Sequence, residues 1–375
     1  MLTKIILAID SFKGCLASEE VEAAVAETIR RKFPACEVRC LPVADGGEGM
    51  LSVLVRATGG RLIPVEVYDP LMRPIQARYG VLGDGETAVI EMAEASGLPL
   101  LTEQERNPML TTSFGTGELI RHALRSGYRK LLVGIGGSAT CDGGIGMLQA
   151  LGLRFYDGSG KELGQGGAVM EQVVRVDSRQ RERALEEAQI TVACDVQNPF
   201  CGAEGAAFVF APQKGATPEQ VVRLDKGLRH WAEVVFQTTG KDIRLLPGAG
   251  AAGGMGGALH AFLHASLQPG IELLLDAVHF EEELANADLV ITGEGRADRQ
   301  TLMGKVPAGV LHRALSQGVK TVLLAGQIDD TQLLLNAGFT RLLPVTPQDM
   351  PLGEALRPET ARENIRRAVN EWLRF

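Results

Sequence analysis

Both ends of the chain alternate short apolar runs, which end in polar turns, with stretches of helical periodicity. Residues 4–10 are an apolar run of strand length, and residues 18–32 have helical spacing beginning at Ser18, the predicted N-cap. Residues 36–43 and 49–57 repeat this order of strand and helix. The pattern predicts a β-α-β-α opening with buried, parallel strands.

The middle of the chain has a different pattern. Segments 61–70, 75–82 and 87–93 alternate apolar and polar residues and are joined by turn residues at 69–70 and 83–85, which predicts an antiparallel insertion. Strands and helices then alternate again, as in a second α/β domain. The predicted elements there are helix 117–125, strand 130–134, helix 147–151, strand 190–195 and helix 217–239.

The opening pattern returns near residue 287. The predicted elements are strands 288–292, 320–325 and 340–345 and helices 306–317, 330–336 and 358–373. Two strands from the front and three from the back make a five-stranded doubly wound sheet. We therefore expect an α/β fold with two domains, a discontinuous one of residues 1–60 plus 285–375 and an inserted one of residues 61–284. A ligand site is expected first in the cleft between two such domains.

Composition narrows the class of protein. With 375 residues, 45% of them hydrophobic, the chain can bury two cores. The net charge of −8 argues against a general nucleic-acid binder, which needs a cationic surface. No apolar run has the length of a membrane span, and Asp10 and Lys13 come too early for a signal peptide. We expect a cytoplasmic protein without a membrane partner, whose scattered cysteines are reduced thiols.

Polar residues gather where the first two strands end. Asp10, Ser11 and Lys13 supply a carboxylate, a hydroxyl and an ammonium group where doubly wound sheets bind ligands, although a polar turn that caps the next helix explains them equally well. Segment 43–49 places two carboxylates among three glycines. These suit a base or a magnesium site, and we rank that interpretation above a tight turn.

Segment 134–146 follows a strand and opens a helix, the setting in which backbone N–H groups and the helix dipole hold phosphate. It lacks the lysine of a P-loop, but its glycines favour phosphate binding over a flexible turn. A second glycine-rich stretch, 247–257, allows close backbone packing, which fits either domain contact or ligand contact. The predicted phosphate-binding residues of the first segment are Gly136, Gly137, Ser138, Ala139, Thr140, Asp142 and Gly143.

Two later strand ends also carry charged residues. Asp195, in segment 194–199, is suited to hold Mg²⁺ or to accept a substrate proton, and an Asx turn is an equal alternative. Segment 292–305 combines carboxylates for Mg²⁺ with cations for anionic groups, which phosphoryl transfer requires. Its charged candidates are Glu294, Arg296, Asp298 and Lys305.

Five segments together resemble the bacterial glycerate kinases of the first class. They are D-S-F-K-G at 10–14, P-V-A-D-G-G-E-G at 42–49, G-I-G-G-S-A-T-x-D-G-G-x-G at 134–146, C-D-V-x-N-P at 194–199 and T-G-E-G-x-x-D-x-Q-T-x-x-G-K at 292–305. The resemblance spans nearly the whole chain in order. It departs at Phe12 and at Gly14-Cys15, where many relatives have Tyr and an acidic residue followed by Ser.

The resemblance implies a flavodoxin-like (Rossmann-like) domain with a doubly wound parallel sheet and a second, mixed α/β domain. It also implies phosphorylation of D-glycerate with ATP and Mg²⁺, at the 2-hydroxyl to give 2-phospho-D-glycerate and ADP. Phosphorylation of the 3-hydroxyl is the alternative, and a homodimer is a candidate assembly.

As a mechanistic hypothesis, segment 134–146 holds the ATP phosphates, while cations neutralise the glycerate carboxylate or the transferred phosphoryl group. The catalytic set is Lys13, Asp45, Asp195 and Lys305, with Asp45 or Asp195 as the proton acceptor. Mg²⁺ is assigned to Asp195, Glu294 or Asp298. The substrate-binding set is Asp10, Ser11, Lys13, Gly46, Gly47, Glu48 and Arg296.

Two other functions would share features with this one. A nicotinamide-dependent oxidoreductase needs G-x-G-x-x-G after its first strand, and this chain has segment 10–14 there instead. A non-catalytic sensor of phosphorylated metabolites would share the glycine loops and the cations. Turnover of ATP separates that sensor from a kinase.

Overall fold

The computed structural model describes residues 2–43 and 49–373. The chain divides into two compact units. Unit 1 consists of Met1–Asp45 and Ile271–Phe375, and unit 2 consists of Gly46–Gly270.

Strands and helices alternate along most of the described chain. The strands are β1 (Lys4–Ile9), β2 (Glu37–Cys40), β3 (Arg61–Tyr68), β4 (Pro74–Val81), β5 (Thr87–Glu91), β6 (Lys130–Gly134), β7 (Arg154–Tyr156), β8 (Arg175–Asp177), β9 (Gln189–Ala193), β10 (Ser266–Gln268), β11 (Leu289–Ala297), β12 (Lys320–Ile328) and β13 (Arg341–Pro344). The helices are α1 (Ser18–Lys32), α2 (Met50–Ala57), α3 (Ala93–Ser96), α4 (Phe114–Arg125), α5 (Ile145–Ala150), α6 (Ala206–Phe210), α7 (Pro218–Thr239), α8 (Ala251–Leu263), α9 (Gly270–Ala277), α10 (Phe280–Leu284), α11 (Val306–Ser316), α12 (Thr331–Ala337), α13 (Leu352–Ala355) and α14 (Pro358–Trp372).

Unit 1 contains the predicted five-stranded sheet. Its strand order is β13-β12-β11-β1-β2, and every neighbouring pair is parallel. Successive residues of β12 contribute to opposite faces, because Leu324 belongs to a core with α1 and α14, whereas Leu323 packs with Leu311 of α11 and Leu334 of α12. Helices therefore cover both faces, and the predicted doubly wound arrangement is confirmed.

The start of α1 differs in detail from the prediction. The N-cap is Ala17, and Glu20 accepts the Ala17 backbone N–H at 2.9 Å. Ser18 is instead the first helical residue, and its hydroxyl donates to the Ile9 carbonyl at 2.5 Å. Ser18 was wrongly predicted as the cap because its hydroxyl is used to tie the helix to the end of β1.

Unit 2 is built on a six-stranded mixed sheet with the order β10-β9-β6-β5-β4-β3. Strands β3, β4 and β5 are antiparallel, as the alternating pattern predicted, whereas β5, β6, β9 and β10 are parallel. The pair β7–β8 and the short strand β10 were not predicted, because segments of three residues give no clear periodicity.

Helix α2 lies in unit 2. Its Val55 and Leu51 side chains contact Gly80 of β4 so closely that a Cβ on Gly80 would lie 2.3 Å and 2.7 Å from them. The compact units consequently divide near residues 45 and 270. The domain boundaries predicted from the sequence, 1–60 plus 285–375 and 61–284, stay a prediction.

Within residues 2–43 and 49–373, none of the helices combines the length and the apolar character that crossing a bilayer requires.

Candidate active site

The first cluster of predicted site residues lies in unit 1, where β1 ends and its pairing with β11 stops. These strands are paired with Ile9 opposite Gly293, and the Asp10 N–H donates to the Gly293 carbonyl at 2.9 Å. An added Cβ on Gly295 would lie 3.5 Å from the Lys13 backbone nitrogen. The fold thus brings segments 10–13 and 293–295 together, as expected for the carboxyl ends of neighbouring parallel strands.

Glu294 is the centre of a hydrogen-bond network at this edge. Its residue is 7% exposed, and its two carboxylate oxygens accept from the Thr301 hydroxyl at 2.6 Å and from Lys305 Nζ at 2.8 Å. The Asp298 N–H in turn donates to Thr301 Oγ1 at 2.9 Å. We call Glu294, Thr301 and Lys305 the Glu294 cluster.

The other two charged candidates of segment 292–305 are engaged in local contacts. Arg296 is exposed and pairs with Asp329, which follows β12, with 2.9 Å between Nη2 and Oδ2. Asp298 begins a short 3₁₀ helix, Arg299–Leu302, and accepts the Gln300 N–H at 2.8 Å. Asp329 was not among the predicted site residues, although its place at a strand end was a usable signal.

A second group of predicted site residues lines a cavity of about 320 Å³ within unit 2. Its walls come from the ends of β6 and β9, from the start of α8 and from the segment after α6. We call it the Lys214 cavity, and its lining residues are Leu98, Ile135, Gly136, Gly137, Ser138, Ala193, Cys194, Asp195, Val196, Phe210, Gln213, Lys214, Ala251 and Ala252. Asp195 Oδ1 accepts the Gly270 N–H at 2.8 Å.

The predicted phosphate loop divides into two parts. Gly136, Gly137 and Ser138 line the cavity, and the two glycines are partly exposed. The remaining four predicted residues are buried away from it. They are Ala139, Thr140, Asp142 and Gly143.

Asp142 accepts hydrogen bonds that hold the loop in its conformation. It is fully buried, and its carboxylate accepts the N–H and hydroxyl of Ser113 at 2.8 and 2.9 Å and the N–H groups of Gly144 and Gly146 at 3.1 and 3.2 Å. These donors belong to the first turns of α4 and α5, so the carboxylate caps both helices. Because Asp142 accepts the N–H groups at the start of α5, the expectation that this helix end binds a phosphate stays a prediction.

Gly143 and Gly253 show why this region is rich in glycine. Gly143 has φ 60°, donates its N–H to the Gly253 carbonyl, and a Cβ there would lie 2.5 Å from Trp231 Cδ1. Gly253 has φ 66°, and its Cβ would lie 2.2 Å from the Thr140 carbonyl oxygen. Both glycines allow a close backbone approach, and Ala251 and Ala252 of the same segment line the cavity. The two interpretations of segment 247–257, domain contact and ligand contact, stay predictions.

Lys214 was not predicted. It follows Pro212-Gln213 in a single 3₁₀ turn, is 2% exposed, and donates from Nζ to Ser138 Oγ and to the Thr140 carbonyl, both at 2.7 Å. Burial lowers the pKa of the ammonium group to about 8, although the nearby Asp142 carboxylate acts in the opposite direction. Nothing in the local sequence separates this lysine from a solvent-exposed one.

The predicted residues Asp45, Gly46, Gly47 and Glu48 lie outside the described residues, and their roles stay predictions. The described chain resumes at Gly49, and the Gly49 and Leu51 N–H groups donate to Glu91, at the end of β5, at 2.6 and 3.1 Å. Glu91 thereby fixes the start of α2.

Comparison with known proteins places the chain in a family. The model of the glycerate kinase family matches residues 5–375. The chain belongs to the glycerate kinase family. Among its relatives, the glycerate kinase of Bacillus subtilis is 46% identical over 98% of this chain and 96% of its own length, and the glycerate 2-kinase of Escherichia coli is 44% identical over 97% and 96%.

A solved structure agrees with this membership. The crystal structure of a provisionally assigned glycerate kinase 2 from Salmonella typhimurium LT2 is 45% identical, covers 99% of this chain and 97% of its own, and superposes with a TM-score of 0.87. The α/β fold predicted from the sequence is therefore confirmed. The resemblance to glycerate kinases is confirmed as well.

Proposed function

We propose that this protein transfers the γ-phosphoryl group of ATP to D-glycerate, at the 2-hydroxyl, releasing 2-phospho-D-glycerate and ADP. The observation that carries the proposal is the family match over residues 5–375, together with 44% identity to the Escherichia coli glycerate 2-kinase. The same relative supports the 2-hydroxyl over the 3-hydroxyl as the acceptor.

The glycine loop is proposed to bind the ATP phosphates through its front part alone. Gly136 and Gly137 offer backbone to the Lys214 cavity, and Ser138 offers a hydroxyl. The buried residues of the loop hold this part in place through hydrogen bonds to the core, such as those that Asp142 accepts from the N–H groups of Ser113 and Gly146. A loop that is held by its own structure keeps its N–H groups oriented before the ligand arrives.

Two cations, Arg296 in β11 and Lys305 just before α11, are proposed to neutralise the glycerate carboxylate or the transferred phosphoryl group. Lys305 and Arg296 are 38% and 64% exposed in their side chains, so they remain accessible to an anion despite their pairing with carboxylates. Lys13, which is exposed, and the polar groups of Asp10 and Ser11 are proposed to bind the substrate at the neighbouring strand end.

Magnesium is proposed as the partner of the ATP phosphates. Within residues 2–43 and 49–373, no group of three or more His, Cys, Asp or Glu side chains is arranged to hold a metal ion. Mg²⁺ in such enzymes is bound through phosphates, waters and one or two carboxylates. Either Asp195 or Asp298 is proposed for it ahead of Glu294, whose two oxygens already accept from Thr301 and Lys305. The bound ion would supply charge neutralisation on the phosphate oxygens.

The proton of the attacking hydroxyl is proposed to pass to Asp45 or Asp195. Asp195 lines the Lys214 cavity, where a carboxylate beside the glycine loop suits this role. The cytoplasmic location and the homodimer expected from the sequence stay predictions.

The test is the release of ADP from MgATP by the purified protein. We expect release to depend on D-glycerate and to remain at background without it or with L-glycerate. Binding of ATP without glycerate-dependent release would contradict the proposal and would favour the non-catalytic sensor.

A further inference from the structure

Lys214 is a buried cation whose partners among the described residues are both neutral. Among the described residues, its hydrogen-bond acceptors are the neutral Ser138 Oγ and Thr140 carbonyl, and no Asp or Glu oxygen lies within 4.0 Å of Nζ. An ammonium group has three N–H donors. Two neutral acceptors therefore leave one N–H donor of the buried ammonium group without a described acceptor, and the Asp142 carboxylate acts on it only from beyond ion-pair distance.

Such an arrangement is costly for the protein alone. Burying an ammonium group without an opposite charge costs several kcal/mol, so buried lysines are normally paired. Lys305 illustrates the normal case, since its Nζ lies 2.8 Å from Glu294. A ligand anion would supply the charge that Lys214 lacks.

The surroundings of Lys214 match an oxyanion. The residue lines the same cavity as Gly136 and Gly137, which present backbone, and its hydrogen bond fixes Ser138 at the cavity wall. A cation beside a glycine-rich loop with a hydroxyl is the chemistry that recognises phosphate or carboxylate oxygens.

We infer that Lys214 binds a substrate oxyanion in this cavity, either an oxygen of the nucleotide phosphates or the carboxylate of glycerate. The glycine loop favours the phosphate. The inference rests on the proposed function for the identity of the two ligands, but the contact itself can be measured without turnover.

The test compares binding of ADP and of D-glycerate by calorimetry in the wild type and in Lys214→Gln. Glutamine keeps an N–H donor for Thr140 or Ser138 but removes the charge. Lys241→Gln is the matched control, because Lys241 Nζ also donates to one carbonyl, of His260 at 2.9 Å, and to one side chain, of His264 at 3.0 Å, outside this cavity.

We expect K214Q to weaken one of the two ligands by roughly 10- to 100-fold, as loss of a charge-assisted contact does, and K241Q to change neither. Weaker ADP binding assigns the phosphate, and weaker D-glycerate binding assigns the carboxylate. Affinities within about 2-fold of wild type for both ligands, in a variant that melts cooperatively, would overturn the inference.

Chemical rescue keeps the inference testable if K214Q binds poorly because its loop is distorted. Lys214→Ala leaves space for a small amine, and we expect ethylammonium to restore ligand affinity severalfold while ethanol does not. Equal restoration by both compounds, or by neither, would indicate packing alone and would contradict the inference. A wild type that binds both ligands but releases no ADP would count against the proposed function and not against the Lys214 contact.

Discussion

The Glu294 cluster and the Lys214 cavity both lie at the carboxyl ends of parallel strands, but they handle charge differently. At the Glu294 cluster, the lysine meets a carboxylate at 2.8 Å and is 38% exposed. In the Lys214 cavity, the lysine meets two neutral oxygens and is 2% exposed.

The difference shows which charges are already paired with an opposite charge of the protein and which are not. A partly exposed ion pair is stable by itself and contributes little to folding, since water screens it. A buried charge without a partner weakens folding and remains available to a ligand. Unit 2 also contains the opposite case, Asp142, a buried carboxylate whose oxygens are filled by structural donors.

The largest expected effect comes from Asp142→Asn. Whichever way the amide is placed, its NH2 group faces an N–H or O–H donor, at least that of Gly144, and the negative charge that these donors stabilise is lost. We expect a loss of roughly 3–5 kcal/mol in the free energy of unfolding. Urea denaturation followed by circular dichroism measures it. A loss below about 1 kcal/mol would mean that the carboxylate is not essential to the loop, and would reopen Asp142 as a ligand contact.

The next effect is the pH dependence of stability that Lys214 causes. Its pKa is about 8 in the folded protein and has its ordinary value of 10.5 when unfolded, so between these values the unfolded chain holds a proton that the folded protein has lost. The free energy of unfolding should therefore rise with pH across this window, by roughly 3 kcal/mol from this group.

This contribution is isolated by measuring the free energy of unfolding of the wild type and of Lys214→Met at pH 8 and at pH 10.5. The rise should appear in the wild type and be missing from K214M, while titrating groups that do not interact with Lys214 affect both proteins equally. Cys141, Asp142 and Asp195 are the titratable neighbours that remain in the variant. The same pH response in both proteins would show that the ammonium group is not destabilised by burial.

Lys305→Met is expected to act on catalysis more than on folding. Loss of a cation that stabilises the transferred phosphoryl group should lower kcat/KM by on the order of 100-fold, which corresponds to about 2.7 kcal/mol. Steady-state kinetics with D-glycerate and MgATP gives the value, and a thermal melt reports the fold. Activity near that of the wild type would remove Lys305 from the site.

The smallest effect is expected for Arg299→Gln, the matched surface change. Arg299 pairs with Asp330 at 3.4 Å and its side chain is 71% exposed, so screening leaves little to lose. We expect kcat/KM within about 2-fold of wild type and a stability change below about 1 kcal/mol. A large loss of activity would extend the functional surface beyond the Glu294 cluster.

Much of the fold follows from periodicity. The buried runs of β1, β11 and β12 and the amphipathic helices between them were sufficient to predict the doubly wound sheet of unit 1. The short strands β7 and β8 were not predicted, because three residues do not establish a period. The cap of α1 was misplaced because a hydroxyl at a helix start has more than one acceptor within reach.

The candidate site could be predicted only as segments. The glycine loop was found, but the sequence does not show that Asp142 faces the core while Gly136 faces a cavity. Lys214 carries no local signal, since its function depends on burial beside residues more than 70 positions away. Charge balance inside a fold is a property of tertiary contacts and not of local pattern.

The most direct test of the account is ³¹P NMR of the product formed from MgATP and D-glycerate. A phosphate ester at C2 couples to one proton and one at C3 to two, so the multiplicity identifies the hydroxyl. We predict a new phosphomonoester signal split into a doublet, with ADP in equal amount. ATP that remains intact in the presence of D-glycerate, with no ester signal, would contradict the account.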